Sequence, residues 1–214
     1  SYLNGLIKVN ASVFNSSYNN RQDFSCQIDN AGAPICTQTN IGEIDIEGIE
    51  LDATVFINEA FNLRVFGSII EGKYPTPKTR YDFLNNNSVY HIDEVELPGT
   101  PEQFGVVLSY SPNEVFSSNI TWKYYGADIT EDNITSPTSI PLFTESRNLT
   151  TPSYSLVDIN VKWSFDKKTT ASLYVKNATD KTYARSNFDS SVAGFFSHFY
   201  QPPREAGLIF SKSF

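Results

Sequence analysis

The end of the chain, residues 203–214, alternates as a β-strand up to the final residue. One face of this strand is apolar except for a single charge: Ala206, Leu208, Phe210, Lys212 and Phe214. Chain termini usually fray, so a strand that continues to the last residue needs a partner strand. A closed barrel pairs its last strand, because a membrane tolerates no open sheet edge. The terminus therefore favours an outer-membrane β-barrel.

The rest of the chain repeats this alternation and sorts its connections by length. Eight strands are predicted, at 6–18, 44–57, 61–74, 103–111, 116–125, 154–165, 169–176 and 203–214. Long segments (19–42, 75–100, 126–152, 184–202) alternate with short turns (58–60, 112–115, 166–168). Outer-membrane barrels have long loops outside and short turns on the periplasmic side. The sorted connections therefore predict an all-β, transmembrane antiparallel barrel.

The charged residues within the predicted strands fall opposite the aliphatic ones. They are Lys8, Glu50, Asp52, Arg64, Lys123, Asp158 and Lys162. A charge that faces lipid at mid-bilayer costs about 2–4 kcal/mol, so this partition fits a barrel with a polar interior. A soluble β-sandwich predicts the same alternation, and the sorted loops and the terminal aromatic favour the barrel. Lys212, near the turn side, can extend to the headgroups.

Aromatic residues gather beside the short turns, as in the interfacial girdle of a membrane barrel. The predicted members of this girdle are Phe56, Phe61, Phe116, Trp163, Phe165 and Phe214. The chain has no apolar run near the roughly 20 residues that a transmembrane helix needs. Its net charge of −8 argues against a nucleic-acid partner.

Three stretches of this sequence resemble the TonB-dependent outer-membrane receptors. Residues 46–52 (Ile-Glu-Gly-Ile-Glu-Leu-Asp) are similar to the family's Gly-Val-Glu-Leu-Glu strand start. Residues 173–183 are similar to its Val-x-Asn-Leu-Phe-Asp-Lys-x-Tyr motif, with Ala178 and Thr179 in place of Leu-Phe. Residues 203–214 are similar to its final Pro-Arg-x-x-Gly-Leu strand, with Lys212 where an aromatic is usual.

The resemblance implies both an architecture and a function. Residues 1–214 would be the C-terminal portion of the barrel, its last eight or so strands out of roughly 22, with the plug domain and earlier strands absent. The function implied is active uptake of a scarce, large ligand, most often a ferric siderophore, or else cobalamin, haem or a glycan. The implied partners are outer-membrane lipid, the TonB energy-coupling complex and the barrel-assembly machinery, for which Phe214 would be the signal.

Candidate site residues are few, and no catalytic residue, metal ligand or cofactor is predicted. Cys26 and Cys36 would form a disulfide in an oxidising compartment, with two free thiols as the alternative. Aromatic and histidine side chains in the long segments can stack on a ligand, or else pack the loops against each other. The ligand-contact candidates are Tyr81, Tyr90, His91, Phe199 and Tyr200.

The sequence is also compatible with two other functions. Asn-x-Ser/Thr sequons weakly favour a secreted β-sandwich glycoprotein or carbohydrate-binding module. An outer-membrane adhesion or structural barrel without transport fits the strand pattern equally well. Eight strands could also close into a small barrel with a packed interior.

Overall fold

The computed structural model shows an all-β chain built around one antiparallel sheet. It describes residues 6–28, 34–74, 78–82, 88–92, 95–96, 102–129, 150–190 and 195–213. None of these residues lies in a helix long and apolar enough to cross a membrane. The main sheet contains nine strands.

The strands of this sheet are Ile7–Ile28 (β1), Pro34–Phe56 (β2), Phe61–Tyr74 (β3), Val95–Glu96 (β6), Glu102–Tyr110 (β7), Phe116–Tyr125 (β8), Tyr154–Ser164 (β11), Thr169–Lys176 (β12) and Glu205–Lys212 (β15). Their order across the sheet is β1-β2-β3-β7-β8-β11-β12-β15, and the short strand β6 also pairs with β3. Three two-stranded sheets lie on its long connections: Lys78–Asp82 with Ser88–Ile92 (β4, β5), Asp128–Ile129 with Thr150–Thr151 (β9, β10), and Ala184–Ser190 with Phe195–Tyr200 (β13, β14). The eight predicted strands and their up-and-down order are confirmed.

The pairing register places most of the aliphatic side chains of the eight strands on one face, which we call the apolar face. One row across three strand pairs joins Leu63, Leu108, Ile120 and Ile159. Since directly paired residues share a face, the charged residues predicted to lie opposite the aliphatics lie on the other face, which we call the polar face. Thr54 pairs with Arg64, for example, and Thr121 pairs with Asp158.

The apolar face is exposed in this structure. Val13 is 79% exposed and Leu208 is 71% exposed, and Ile44 is the one fully buried apolar side chain among the described residues. A β-sandwich would bury this face against a second sheet, and the described strands form no such layer. The alternation of apolar and polar residues along the strands is therefore not that of a secreted β-sandwich, and that interpretation is wrong.

The two edges of the sheet are β1 and β15, and within the described ranges they do not pair with each other. A small closed barrel of eight strands would require that pairing, because closure removes both edges. The described part of the chain is therefore an open eight-stranded meander and not a closed eight-stranded barrel.

The prediction that 19–42 is a connecting segment is wrong. Strands β1 and β2 continue through most of it as a paired hairpin, with register shifts between Tyr18 and Gln22. Strand pairs also occur within 75–100, 126–152 and 184–202. Backbone hydrogen bonds pair these strands, so they form without the apolar alternation from which strands were predicted.

The short turns share one hydrogen-bonding pattern. The side-chain oxygen of Asn58 accepts from the N–H groups of Ala60 and Phe61, both at 2.9 Å. Asn113 does the same for Val115 and Phe116. In the third turn Asp166 accepts from the N–H of Lys168 at 2.7 Å. This bond is the main reason why the pKa of Asp166 is lowered. These Asx turns end the strands on one side of the sheet, which we call the turn end; the opposite side is the loop end.

An aromatic row on the apolar face follows the turn end. Phe61 stacks on Tyr110 with ring centroids 4.3 Å apart, Tyr110 meets Phe116 at 6.1 Å, and Phe116 meets Trp163 at 5.5 Å. This row contains three of the predicted girdle residues and adds Tyr110. Phe56 was wrongly included: it lies on the polar face, where Nζ of Lys8 is 5.2 Å from its ring centroid. Phe214 lies outside the described residues.

Candidate functional site

The polar face carries charges that pair across neighbouring strands. On β2 and β3, Nε of Arg64 donates to Asp52 Oδ2 at 2.8 Å. On β8 and β11, Nζ of Lys123 lies 3.5 Å from Asp158 Oδ2. Because each of these two pairs joins opposite charges on adjacent strands, Asp52 and Asp158 can border a polar interior as paired carboxylates.

Two glycines let aromatic rings lie flat against the polar face. A methyl group at Gly105 would lie 2.3 Å from Cζ of Phe66, and one at Gly207 would lie 2.5 Å from Cζ of Tyr174. Each ring has a cation nearby: Arg64 is 5.0 Å from the Phe66 centroid, and Lys176 is 5.7 Å from that of Tyr174. Each ring therefore covers a directly paired glycine and offers its face to a cation.

Three tyrosines form a stacked row at the loop end. The ring centroids of Tyr125 and Tyr154 are 5.0 Å apart, and those of Tyr154 and Tyr183 are 4.4 Å apart, with interplanar angles of 24° and 27°. Tyr125 and Tyr154 are directly paired on β8 and β11, and Tyr183 precedes β13. The row lies next to the Lys123–Asp158 pair along the same two strands, so aromatic and charged groups meet at the loop end of the polar face.

A second cluster at the loop end joins β11, β12 and the residues before β15. The N–H of Asn177 donates to Asp158 Oδ1 at 2.9 Å, and the N–H of Ala178 donates to the Val157 carbonyl at 2.7 Å. The N–H of Arg204 donates to Asp180 Oδ1 at 2.9 Å. Asn177 is only 5% exposed. This cluster makes the loop end a connected structure at the point where the chain leaves the sheet.

The predicted ligand-contact residues lie in two separate hairpins. Tyr81, Tyr90 and His91 are in the β4–β5 hairpin, where Tyr81 pairs with Val89 and His91 with Thr79. Phe199 and Tyr200 are in the β13–β14 hairpin and are 54% and 64% exposed. The two hairpins belong to different two-stranded sheets, so ligand contact by this set stays a prediction.

Cys26 and Cys36 are direct partners in the β1–β2 register. Directly opposed residues of an antiparallel pair have Cα atoms about 4.5–5.5 Å apart, which lies within the range of about 4.4–6.8 Å that a disulfide spans. The backbone register is therefore compatible with the predicted bond, and the bond itself stays a prediction.

The tyrosine row and the Asn177 cluster were missed by sequence reasoning. The tyrosine row could have been predicted from the sequence, because tyrosines stand at the loop-side ends of two adjacent predicted strands. The signal for the cluster was the run from Asn177 to Asp180, which is rich in residues that tolerate a left-handed backbone. Among the residues that the structure describes, no group of three His, Cys, Asp or Glu side chains is placed to hold a metal ion.

One protein-family model matches most of this chain. The model of the family described as TonB-dependent receptor-like, β-barrel matches residues 1–178. A comparison with curated proteins gave no match.

Three solved structures are similar in fold. The siderophore receptor PiuA from Acinetobacter baumannii is 15% identical, with a TM-score of 0.68 over 99% of this chain and 26% of that one. The ferric yersiniabactin uptake receptor FyuA from Yersinia pestis is 15% identical, with a TM-score of 0.68 over 100% and 28%. A mutant of the ferric enterobactin receptor PfeA from Pseudomonas aeruginosa is 15% identical, with a TM-score of 0.70 over 100% and 30%. The chain thus spans less than a third of each of these proteins.

Proposed function

Because this chain belongs to the TonB-dependent receptor β-barrel family, whose members lie in the bacterial outer membrane, we propose that it is part of an active transporter for a scarce, large ligand. A ferric siderophore is the first candidate, and cobalamin, haem or a glycan are the alternatives. The observation that carries the proposal is the two-sided sheet. One face is apolar and uncovered, and the other is polar and carries two ion pairs between adjacent strands.

The dimensions of the apolar face support its contact with outer-membrane lipid. On β3 this face runs from the aromatic Phe61 to Ile69, and Glu71 ends it. Eight residue steps correspond to about 27 Å along a strand. At the tilt of about 40° that membrane barrels adopt, they give about 20 Å of height, near the roughly 25 Å apolar band of such barrels. A second aromatic group at the loop end, Phe104, Trp122 and Tyr124, fits the outer interface.

The ligand class is proposed from the loop end of the polar face. Stacked tyrosines beside a lysine–aspartate pair offer aromatic surface and hydrogen-bonding groups to a large, partly aromatic, partly charged ligand. The three solved relatives are described as a siderophore receptor, a ferric yersiniabactin uptake receptor and a ferric enterobactin receptor. A ferric siderophore is therefore the first ligand to test, alongside haem, cobalamin and a glycan.

The proposal is tested by uptake in the bacterium that carries the gene. Cells with the gene, without it, and with it restored receive radiolabelled ferric siderophores, haem or cobalamin, with and without a protonophore. We expect deletion to abolish accumulation of at least one ligand and restoration to recover it. The protonophore should block the recovered uptake, because TonB coupling draws on the proton gradient. Unchanged accumulation of every ligand, with the receptor present at normal levels in the parent cells, would contradict the proposal.

The terminal aromatic gives a test of the barrel-assembly machinery as a partner. We expect deletion of Phe214 to lower the amount of folded protein in the outer membrane several-fold, because this residue would be the assembly signal and would anchor the last strand at the interface. Heat-modifiable migration of outer-membrane fractions on gels measures the folded amount. The control is Asn86→Ser, a polar change in a long connection, and equal assembly of both variants would count against this role.

The two cysteines give a test of exposure to an oxidising compartment. We expect protein from native membranes to contain a Cys26–Cys36 bond, since the register opposes the two residues near the tip of the β1–β2 hairpin. Alkylation before and after reduction, followed by mass spectrometry of the peptides, measures it. Without reductant neither cysteine should react, and with reductant both should. Two reactive thiols in the untreated protein would refute the bond.

A further inference from the structure

The chain segments that enter and leave the β13–β14 hairpin lie close together at the loop end of the sheet. Tyr183 precedes β13 and Gln201 follows β14, and the N–H of Gln201 donates to the Tyr183 carbonyl at 3.0 Å. Ala184 pairs with Tyr200 as the first register pair. The hairpin therefore has a narrow base, and Phe199 and Tyr200, both exposed, lie just beyond it.

The segment that enters this base, residues 177–181, is folded on itself. The side chain of Asn177 donates to the Lys181 carbonyl and accepts from the Lys181 N–H, both at 2.9 Å. The N–H of Asp180 donates to the Asn177 carbonyl at 2.8 Å. Asn177 and Asp180 have φ angles of 48° and 54°, a region that asparagine, aspartate and glycine tolerate best. The entering segment thus has one defined shape.

Asp180 joins this entering segment to the segment that leaves the base. Its Oδ1 accepts from the N–H of Arg204 at 2.9 Å, and Nη1 of Arg204 lies 3.4 Å from the Ala178 carbonyl. Arg204 is the residue immediately before β15. The entering segment is itself bonded to β11 through Asp158 and Val157. Both segments at the base of the hairpin are therefore tied to the sheet and to each other.

From this arrangement we infer that Asp180 is a positioning residue, which holds the β13–β14 hairpin at a fixed angle to the barrel wall. The hairpin is then a rigid arm that presents Phe199 and Tyr200 to the ligand, and not a lid that opens at its base. This inference rests on the proposed transport function for the ligand contact, and on the geometry alone for the rigidity of the base.

Two substitutions separate the hydrogen bond from the backbone conformation. Asp180→Asn keeps a side-chain oxygen that can accept from the Arg204 N–H and tolerates the left-handed backbone; it removes the charge that lies 4.0 Å from Nη2 of Arg204, an exposed pair that contributes little. Asp180→Gly keeps the backbone conformation and removes the acceptor. The first measurement is amide hydrogen exchange in the intact receptor in lipid nanodiscs. We expect Asp180→Gly to accelerate exchange across 183–201 about tenfold, without change in β8 or β12, and Asp180→Asn to behave as the native protein.

The second measurement is uptake by cells that carry each variant, with a ferric tris-catecholate complex and haemin as the two probes. For a probe that the native receptor transports, we expect Asp180→Gly to raise KM several-fold at constant maximal rate, and Asp180→Asn to restore the native KM. Unchanged exchange across 183–201 in Asp180→Gly would overturn the rigid base. Faster exchange with an unchanged KM would overturn the role in ligand contact. Transport of neither probe by native cells would overturn ligand contact by the hairpin for catecholate siderophores and haem, and the exchange result would still decide the rigidity of the base.

Discussion

Replacement of Ile120 by arginine is expected to remove most of the folded protein from the outer membrane. Ile120 lies on the apolar face of β8, 49% exposed, between Leu108 and Ile159. It is four residues from Phe116 in the turn-end aromatic row and two from Trp122 at the loop end. A charge that faces lipid at this depth lowers the free energy of unfolding by about 2–4 kcal/mol, a large part of the stability of an ordinary domain.

The matched control is Thr121→Arg. It introduces the same side chain at the next residue of β8, which lies on the polar face. Thr121 pairs with Asp158 across to β11, so the new charge meets a carboxylate and a polar surrounding. The folded fraction is measured by heat-modifiable migration of outer-membrane fractions, and stability by urea unfolding in vesicles. Equal losses in the two variants would show that the two faces of the sheet meet the same surroundings, which would contradict a membrane barrel.

Replacement of Asn177 by alanine is expected to have the largest effect of any change at the loop end, about 2–4 kcal/mol in the free energy of unfolding. The substitution removes both hydrogen bonds to Lys181, each worth about 1 kcal/mol, and leaves the Lys181 backbone N–H and carbonyl without this partner. It also forces alanine into a φ of 48°, which costs about 1–2 kcal/mol. Urea unfolding followed by the fluorescence of Trp122 and Trp163 measures the loss.

Two further variants separate these contributions. Asn177→Gly removes the hydrogen bonds but accepts the backbone conformation, so it should lose about half as much stability as the alanine variant. Asn119→Ala removes an exposed asparagine bonded to Asn160 at 3.1 Å, and it should lose less than about 1 kcal/mol. If Asn177→Ala loses no more than Asn119→Ala, the cluster at the loop end does not stabilise the fold.

The central strands were predictable because a sheet with unlike surroundings on its two faces leaves a period of two in the sequence. Ile49, Leu51, Ala53 and Val55 on β2 alternate with Glu50, Asp52 and Thr54, and the pairing with β1 and β3 follows that pattern. A shift of one residue would turn every apolar side chain to the polar face, so the register was largely determined as well.

The pattern fails where the surroundings of the two faces cease to differ. Residues 19–28 of β1 and 34–42 of β2 lack a sustained alternation of apolar and polar residues, and they were predicted as a connecting segment because backbone pairing leaves no hydropathy signal. Phe56 was misplaced for a related reason. An aromatic residue beside a turn suits either face, and only the register shows that Phe56 shares the polar face with Lys8.

The sequence by itself determined the number, order and faces of the eight strands, and through three motifs it determined the family. Only the tertiary structure decided how the loop end is built: which tyrosines stack, that Asn177 is buried, and that Asp180 meets the N–H of Arg204. The physical reason is the range of the interactions. Strand alternation reflects the solvent on each side of one strand. The loop-end contacts join residues 20 to 30 positions apart, and these meet only after the strands between them have paired.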